Sequence, residues 1–300
     1  MITLKRVARR FGKVTAVDGL DLEVAEGEIF GLVGPDGAGK TTTIRMMLGI
    51  IDPSAGAIEV LGERNLERIK PQIGYVPQRF SLYGDLTVIE NIRLMGAMYG
   101  AARREIEAQA EAILAFTNLL PFKKRLADNL SGGMKQKLAL AAGLMHRPRL
   151  FFLDEPTTGV DPVSRREFWQ MLYQLNQEGT TVLVSTPYMD EAELCTQVAF
   201  MNNGRITACG PPARLKRDYP YRLLELAAPS KQLRRVLAGC PGILDLNAFG
   251  EKYHLVVNDP EPTRLAVESR LAETGIEIRS IREIPPTMED LFVHLANGGA

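Results

Sequence analysis

The stretch Gly34-Pro35-Asp36-Gly37-Ala38-Gly39-Lys40-Thr41-Thr42 decides the fold. It fits the pattern G-x-x-x-x-G-K-[ST], a glycine-rich turn whose backbone N–H groups cradle phosphates. Upstream, Glu28-Ile29-Phe30-Gly31-Leu32-Val33 is short and apolar, as a buried parallel strand is. Downstream, Thr42 to Ile50 has helical spacing and no proline. Strand, turn and helix stand in the order the loop requires, which sets it apart from a chance glycine turn. Glycine lets N–H groups point inward without a Cβ clash, and the helix start adds unpaired N–H groups and the positive end of its dipole. Lys40 can set a point charge against the β- and γ-phosphates, and Thr41 can offer a hydroxyl to Mg²⁺.

A second anchor lies far downstream. Leu150-Phe151-Phe152-Leu153-Asp154-Glu155 is an apolar strand that ends in two carboxylates. In open α/β sheets the carboxyl ends of strands face the ligand crevice. Asp154 would hold Mg²⁺ through water, and Glu155 would orient or deprotonate an attacking water. Between the two anchors, Leu130-Ser131-Gly132-Gly133-Met134-Lys135-Gln136 opens a helix that runs to about Leu144. Its first turn suits an anion, although Ser-Gly-Gly is also an ordinary helix start.

Composition narrows the class. The 300 residues carry 36 basic and 36 acidic side chains, a formal net charge of zero, so no basic excess points to nucleic acid. The longest apolar runs are too short to cross a bilayer, and Met1 to Arg6 carries no stretch of signal-peptide length. These features predict a cytoplasmic protein, or one held at a membrane by a partner. Cys195, Cys209 and Cys240 have neither zinc nor disulfide spacing, and His146, His254 and His294 read as ordinary surface or core histidines.

The remaining elements follow in order. Residues 2–7 and 20–24 predict a β-hairpin or meander, with Arg9 to Lys13 between them. Phe11 there suits a core position or a purine stack. Asp52 to Gly56 reads as a turn; Ala57 to Leu61 and Ile73 to Val76 read as strands. Residues 85–145 have helical apolar spacing, a helical insert on an α/β core. A helix from Pro162 to Glu178, a strand from Thr181 to Ser185, an acidic helix start at Asp190, and strands Val198 to Met201 and Arg205 to Ala208 complete a mainly parallel sheet. The turn-rich stretch from Cys209 to Pro220 predicts a boundary. Beyond it the pattern is strand 222–227, helix 231–238, hairpin 243–257, helix 263–273, strand 276–284 and helix 287–295. This βαββαβ order predicts a small ferredoxin-like domain.

In this order the motifs resemble the nucleotide-binding subunit of ATP-binding cassette (ABC) transporters, over about residues 1–215. The resemblance implies a P-loop NTPase cassette of α/β class: a mixed sheet core, an antiparallel β subdomain and a helical subdomain at about 85–145. The α+β module at 221–300 would be accessory. It implies that Phe11 stacks on adenine and that Gly34 to Thr42 hold the phosphates. It makes Gln78 the Q-loop glutamine, a ligand of Mg²⁺ together with Thr41 and Asp154. Lys40, Gln78 and Glu155 would serve hydrolysis. Ser131, Gly132 and Gly133 match the family signature, and Gly159-Val160-Asp161 the dimer-contact loop. Two cassettes would face each other head to tail, so that Ser131 and Gly133 touch a γ-phosphate held by the partner. The wording of Ser131 to Gln136, Glu155 to Gly159, Tyr188 to Glu193 and Pro286 to Phe292 resembles the ABC-2 type drug-efflux and polysaccharide-export branch. That implies a separate polytopic permease and a peripheral position on the inner face of the cell membrane.

One departure matters. After the strand Thr181 to Ser185 the family has a histidine that contacts the γ-phosphate; here Pro187 stands in its place. Proline has neither a side-chain donor nor an N–H. The sequence therefore predicts tight MgATP binding and slow hydrolysis at this chain's own site. The alternative to an exporter ATPase is a largely non-catalytic, ATP-binding regulatory half; in either case the second cassette would come from an identical chain, from a different chain or from a tandem domain of a longer polypeptide. A third reading, a cassette acting on DNA or ribosomes, lacks the coiled-coil arms, zinc modules or basic linkers it needs. Asp36, where asparagine is more usual, reads as a local cap, and Asn297-Gly298-Gly299-Ala300 suits a truncation or a linker.

Overall fold

A computed structural model describes residues 1–230 and 232–296, and it separates into two compact units, Met1–Pro212 and Ala213–Ala300. Lys231, the expected first residue of a helix, and Asn297 to Ala300 lie outside the described residues.

The first unit opens with a hairpin of β1 (Ile2–Phe11) and β2 (Val14–Val24). Both strands are longer than predicted, and Arg9, Arg10 and Phe11 belong to β1. Three register shifts between Leu4 and Arg10 break the alternation on which a strand is recognised, while pairing continues across them. β3 (Ile29–Val33) is buried throughout and leads through the phosphate loop into α1 (Lys40–Met47). The helix begins at Lys40, earlier than its spacing predicts, and stops before Ile50. β4 (Ala55–Val60) starts inside the predicted turn and pairs with the other edge of β1, giving an antiparallel sheet in the order β2-β1-β4.

After β5 (Ile73–Val76) come α2 (Val88–Met98), α3 (Arg103–Phe116) and α4 (Gly132–Gly143). A capping box fixes the start of α2: Thr87 Oγ1 accepts from Glu90 N, and Thr87 N donates to Glu90 Oε2 at 2.8 Å. The three helices share a core of their own, with Val88, Ile92, Ile106, Leu114, Leu138 and Met145. The chain then forms β6 (Leu150–Asp154), α5 (Pro162–Gln177), β7 (Thr181–Thr186), the single turn α6 (Met189–Ala192), β8 (Gln197–Asn202), β9 (Arg205–Gly210) and α7 (Pro212–Arg217). The predicted turn-rich stretch from Cys209 thus contains a strand end and a helix.

The central sheet runs β5-β6-β7-β3-β8-β9, parallel except for β9. β3, β6 and β7 are buried along their whole length, which explains their uninterrupted apolar sequences. Because β3, β7, β6 and β5 are neighbours, the loops leaving their carboxyl ends emerge side by side. Gly34, Thr186, Asp154 and Gln78 stand at or just beyond those strand ends.

The second unit holds β10 (Arg222–Ala227), α8 (Leu233–Val236), β11 (Ile243–Phe249), β12 (Lys252–Val257), α9 (Pro260–Glu273), β13 (Ser280–Ile284) and α10 (Met288–Ala296). Its antiparallel sheet has the order β11-β12-β10-β13, the ferredoxin-like order expected from βαββαβ. Leu224, Leu226, Leu255 and Val257 form its core with Leu233, Val267 and Leu271. α8 is one turn, shorter than predicted, and β13 begins at Ser280 and not at Ile276. Ile276 and Ile278 alternate because they pack against the core, while Ile276 N still donates to Leu271 O at the end of α9.

Candidate active site

The phosphate loop is shaped by close approaches that only glycine tolerates. Gly39 has φ +104, and a Cβ there would lie 2.4 Å from Ala16 O; a Cβ at Gly34 would lie 2.1 Å from Met201 O. Pro35, Asp36 and Gly37 form the exposed crest, Ala38 is buried beneath it, and Thr42 follows in the first turn of α1. The buried Lys40 Nζ donates to Gly34 O at 2.7 Å and Pro35 O at 3.0 Å, and lies 3.1 Å from Glu155 Oε1. The loop, its lysine and the carboxylate at the end of β6 are thereby in contact.

Thr41 Oγ1 donates to Asp154 Oδ1 at 3.0 Å, and Ser185 Oγ donates to the same oxygen at 2.7 Å. Burial pushes the Asp154 carboxyl above its ordinary pKa, and these two hydrogen bonds offset part of that rise. Asp154 Oδ2 is buried and has no hydrogen-bond partner. A leftover carboxylate oxygen beside a threonine hydroxyl is the hard-oxygen donor set that Mg²⁺ takes when phosphates and water supply its other ligands. The residues present therefore fit the cation.

Glu155 is buried and has φ +48, a left-handed conformation that a non-glycine residue adopts at a cost of about 1–3 kcal/mol. Its N–H donates to Ser185 O at 3.1 Å and Ser185 Oγ at 3.0 Å. Gln78 Nε2 donates to Glu155 Oε2 at 2.9 Å, so the Q-loop candidate reaches the same carboxylate. Lys40, Thr41, Gln78, Asp154 and Glu155 are thus one connected cluster drawn from the start of α1, the segment after β5 and the end of β6.

Other predicted residues stand apart. Phe11 is 46% exposed at the end of β1, with the Arg9 guanidinium 4.6 Å from its ring centroid. Ser131 caps α4, accepting from Met134 N at 3.3 Å, and Gly132 is exposed beside it. A Cβ at Gly133 would meet Ser164 at 2.7 Å, so the contacts of this turn run to the start of α5 and not to the chain's own phosphate loop. Pro187 follows Thr186, whose carbonyl accepts from Gly34 N at 3.2 Å. Sequence reasoning missed Ser185, Thr186, Thr157 and Glu191. Their signal was the polar end of an otherwise apolar strand and the glutamate five residues beyond it, features without meaning until partners are known.

The histidines make structural contacts. His146 Nε2 lies 2.8 Å from Ile73 O, His254 Nδ1 donates to Asp290 at 2.8 Å, and His294 packs edge-on against Tyr219 and Tyr221. All three cysteines are free.

The chain also resembles known proteins. Residues 17–158 match the ABC transporter family model, and residues 210–296 match the C-terminal domain of DrrA1-3-like ATP-binding proteins. A probable multidrug ABC transporter ATP-binding protein, YbhF of Escherichia coli (strain K12), is 40% identical over 99% of this chain, and the chain spans about half of that relative, 52%. Nod factor export ATP-binding protein I of Paraburkholderia xenovorans (strain LB400) is 37% identical over 98% of this chain and 96% of the relative. Among solved structures, an ATP-binding subunit of an ABC transporter superposes with TM-score 0.66 at 29% identity, over 73% of this chain and 93% of that one. The dimeric cassette MJ0796 in a post-hydrolysis state with ADP and Pi gives TM-score 0.65 at 26% identity, over 70% and 98%. A loop, lysine and carboxylate pair joined in one cluster, matched along nearly the full length of such a relative, make this chain a member of the ATP-binding proteins of ABC transporters.

Proposed function

We propose that the chain binds MgATP on the Gly34 to Thr42 loop and hydrolyses it to power export through a separate ABC-2 type permease. The observation that carries this reading is the single hydrogen-bonded cluster of Lys40, Thr41, Gln78, Asp154 and Glu155. Lys40 would exchange Gly34 O, Pro35 O and Glu155 for the β- and γ-phosphate oxygens. Bound Mg²⁺ would supply charge neutralisation and orientation of the phosphates, with Thr41, Asp154 and Gln78 around it. Released from Lys40, Glu155 would orient the attacking water. Phe11 would stack on adenine, and Ser131, Gly132 and Gly133 would complete the site of a second cassette. Residues 1–215 act as the cassette in this reading and 221–300 as an accessory module. Among the described residues no helix is long and apolar enough to cross a membrane, in keeping with a permease on another chain or segment and a peripheral position on the inner face of the membrane. The exported molecule would be drug-like or another small substrate, in line with the multidrug and Nod factor export for which those relatives are named. Those relatives are named as transport subunits and lend no support to a non-catalytic half.

The test is MgATP turnover by the purified chain. Lys40→Ala should abolish both turnover and nucleotide binding, by about 10²-fold or more in rate. Equal turnover by the variant would refute the reading.

A further inference from the structure

We infer that Glu191 is a positioning residue for hydrolysis, a buried clamp that holds Glu155 and the phosphate loop in register from behind the site. The inference rests on the role proposed above for Glu155. Glu191 is 1% exposed and lies on α6, away from the cluster that would touch nucleotide. Its Oε1 accepts from Thr157 Oγ1 at 2.5 Å and from Arg165 Nε and Nη2 at 3.2 and 3.1 Å. Its Oε2 accepts from Thr186 Oγ1 at 2.6 Å.

Each of these partners leads to a different part of the site. Thr157 is two residues beyond Glu155, and Thr158 Oγ1, next to it, reaches Glu155 Oε2 at 3.4 Å. Thr186 accepts from Gly34 N through its carbonyl and from Tyr188 N through its hydroxyl at 3.1 Å, which spans Pro187. Arg165 lies in the first turn of α5, just after Gly159 to Asp161, and its guanidinium sits 4.4 Å from the Tyr188 ring centroid. One carboxylate therefore ties the loop after β6, the segment after β7 and α5 together.

This matters because Glu155 holds a backbone conformation that persists only where its surroundings over-determine it. Ser185 fixes the N–H of Glu155 on one side, and the Thr157–Glu191 bond fixes the chain on the other. Removing the second restraint lets the turn relax toward φ below zero and moves the carboxylate. A misplacement of about 1 Å at a reacting group costs on the order of 10²-fold in rate. Pro187 offers no side-chain contact to a γ-phosphate, so the Glu191 clamp carries the task of holding this segment.

The test compares wild type, Thr157→Val and Glu191→Gln. Thr157→Val removes one hydroxyl at nearly constant volume and leaves Arg165 paired, so it reads the clamp even if Glu191→Gln folds poorly. The expected result is a fall in kcat of about 10- to 100-fold, with KM for MgATP within about twofold, while loss of the buried hydrogen bond lowers the melting temperature by only a few degrees. The double variant should be no slower than the slower single, because both cut one path. A crystal structure of Thr157→Val should find Glu155 out of its left-handed conformation. Unchanged kcat, a loss that only tracks melting temperature, or Glu155 unmoved in that crystal would overturn the inference. Absence of turnover in wild type would instead refute the hydrolytic function, and the Glu155 conformation would still decide the clamp.

Discussion

At the scale of single residues the site is a set of buried charges that neutralise one another until substrate replaces part of the set. Lys40 is satisfied by two carbonyls and Glu155, and Asp154 by two hydroxyls, with one oxygen left over. Such a site loses little by being empty and gains when phosphate oxygens displace the carbonyls. Pro187 is the residue at odds with this economy, since it offers nothing to a γ-phosphate. Pro187→His should raise kcat by about tenfold or more, with little change in KM, in a sample able to dimerise. A steady-state assay with no gain would mean that the Thr186 to Tyr188 segment needs no such contact.

At the scale of elements, a buried carboxylate helps to fasten α10. Asp290 accepts from Thr287 N and Oγ1 at 2.9 and 2.7 Å and from His254 Nδ1 at 2.8 Å. Burial alone would raise its pKa, but the bonds from His254 and Thr287 outweigh burial and hold it below its ordinary value. A depressed carboxylate contributes stability above the unfolded pKa of about 3.9, and that contribution drains away as the pH falls below it. Asp290→Asn should therefore cost about 1–3 kcal/mol near neutral pH and lose less than wild type on acidification from about pH 5 to about pH 3. Thermal melts across that range check both. Parallel pH profiles for the two proteins would show that the carboxylate is not what fastens the helix. Element boundaries differed from expectation for local reasons: bulges hid the length of β1, and core packing at Ile276 and Ile278 mimicked a strand.

At the scale of the whole molecule, the signature turn and the phosphate loop belong to one chain but serve different sites in the proposed pair. Ser131 and Gly132 are exposed, as a surface that meets another cassette must be. Glu155→Gln, which should slow hydrolysis on the proposed role of Glu155, should bring the chain to twice its monomer mass on MgATP addition. Adding Ser131→Arg should return it to monomer mass by light scattering. A monomer in both cases would refute head-to-tail pairing of identical chains. The phosphate loop, the carboxylate strand, the parallel sheet and the βαββαβ order were legible in sequence because each is written locally, as glycine spacing, an apolar run or an element succession. The same locality carried Lys40, Thr41, Asp154 and Glu155, whose meaning depends on motifs and not on partners. What only the tertiary structure decided is which strands are neighbours, and so which loops meet. The order β5-β6-β7-β3 sets Gln78, Glu155, Thr186 and Gly34 side by side across more than a hundred residues of chain. The left-handed turn at Glu155 and the Glu191 clamp follow from that convergence, because a hydrogen bond between residues far apart in sequence leaves no periodic trace in either segment.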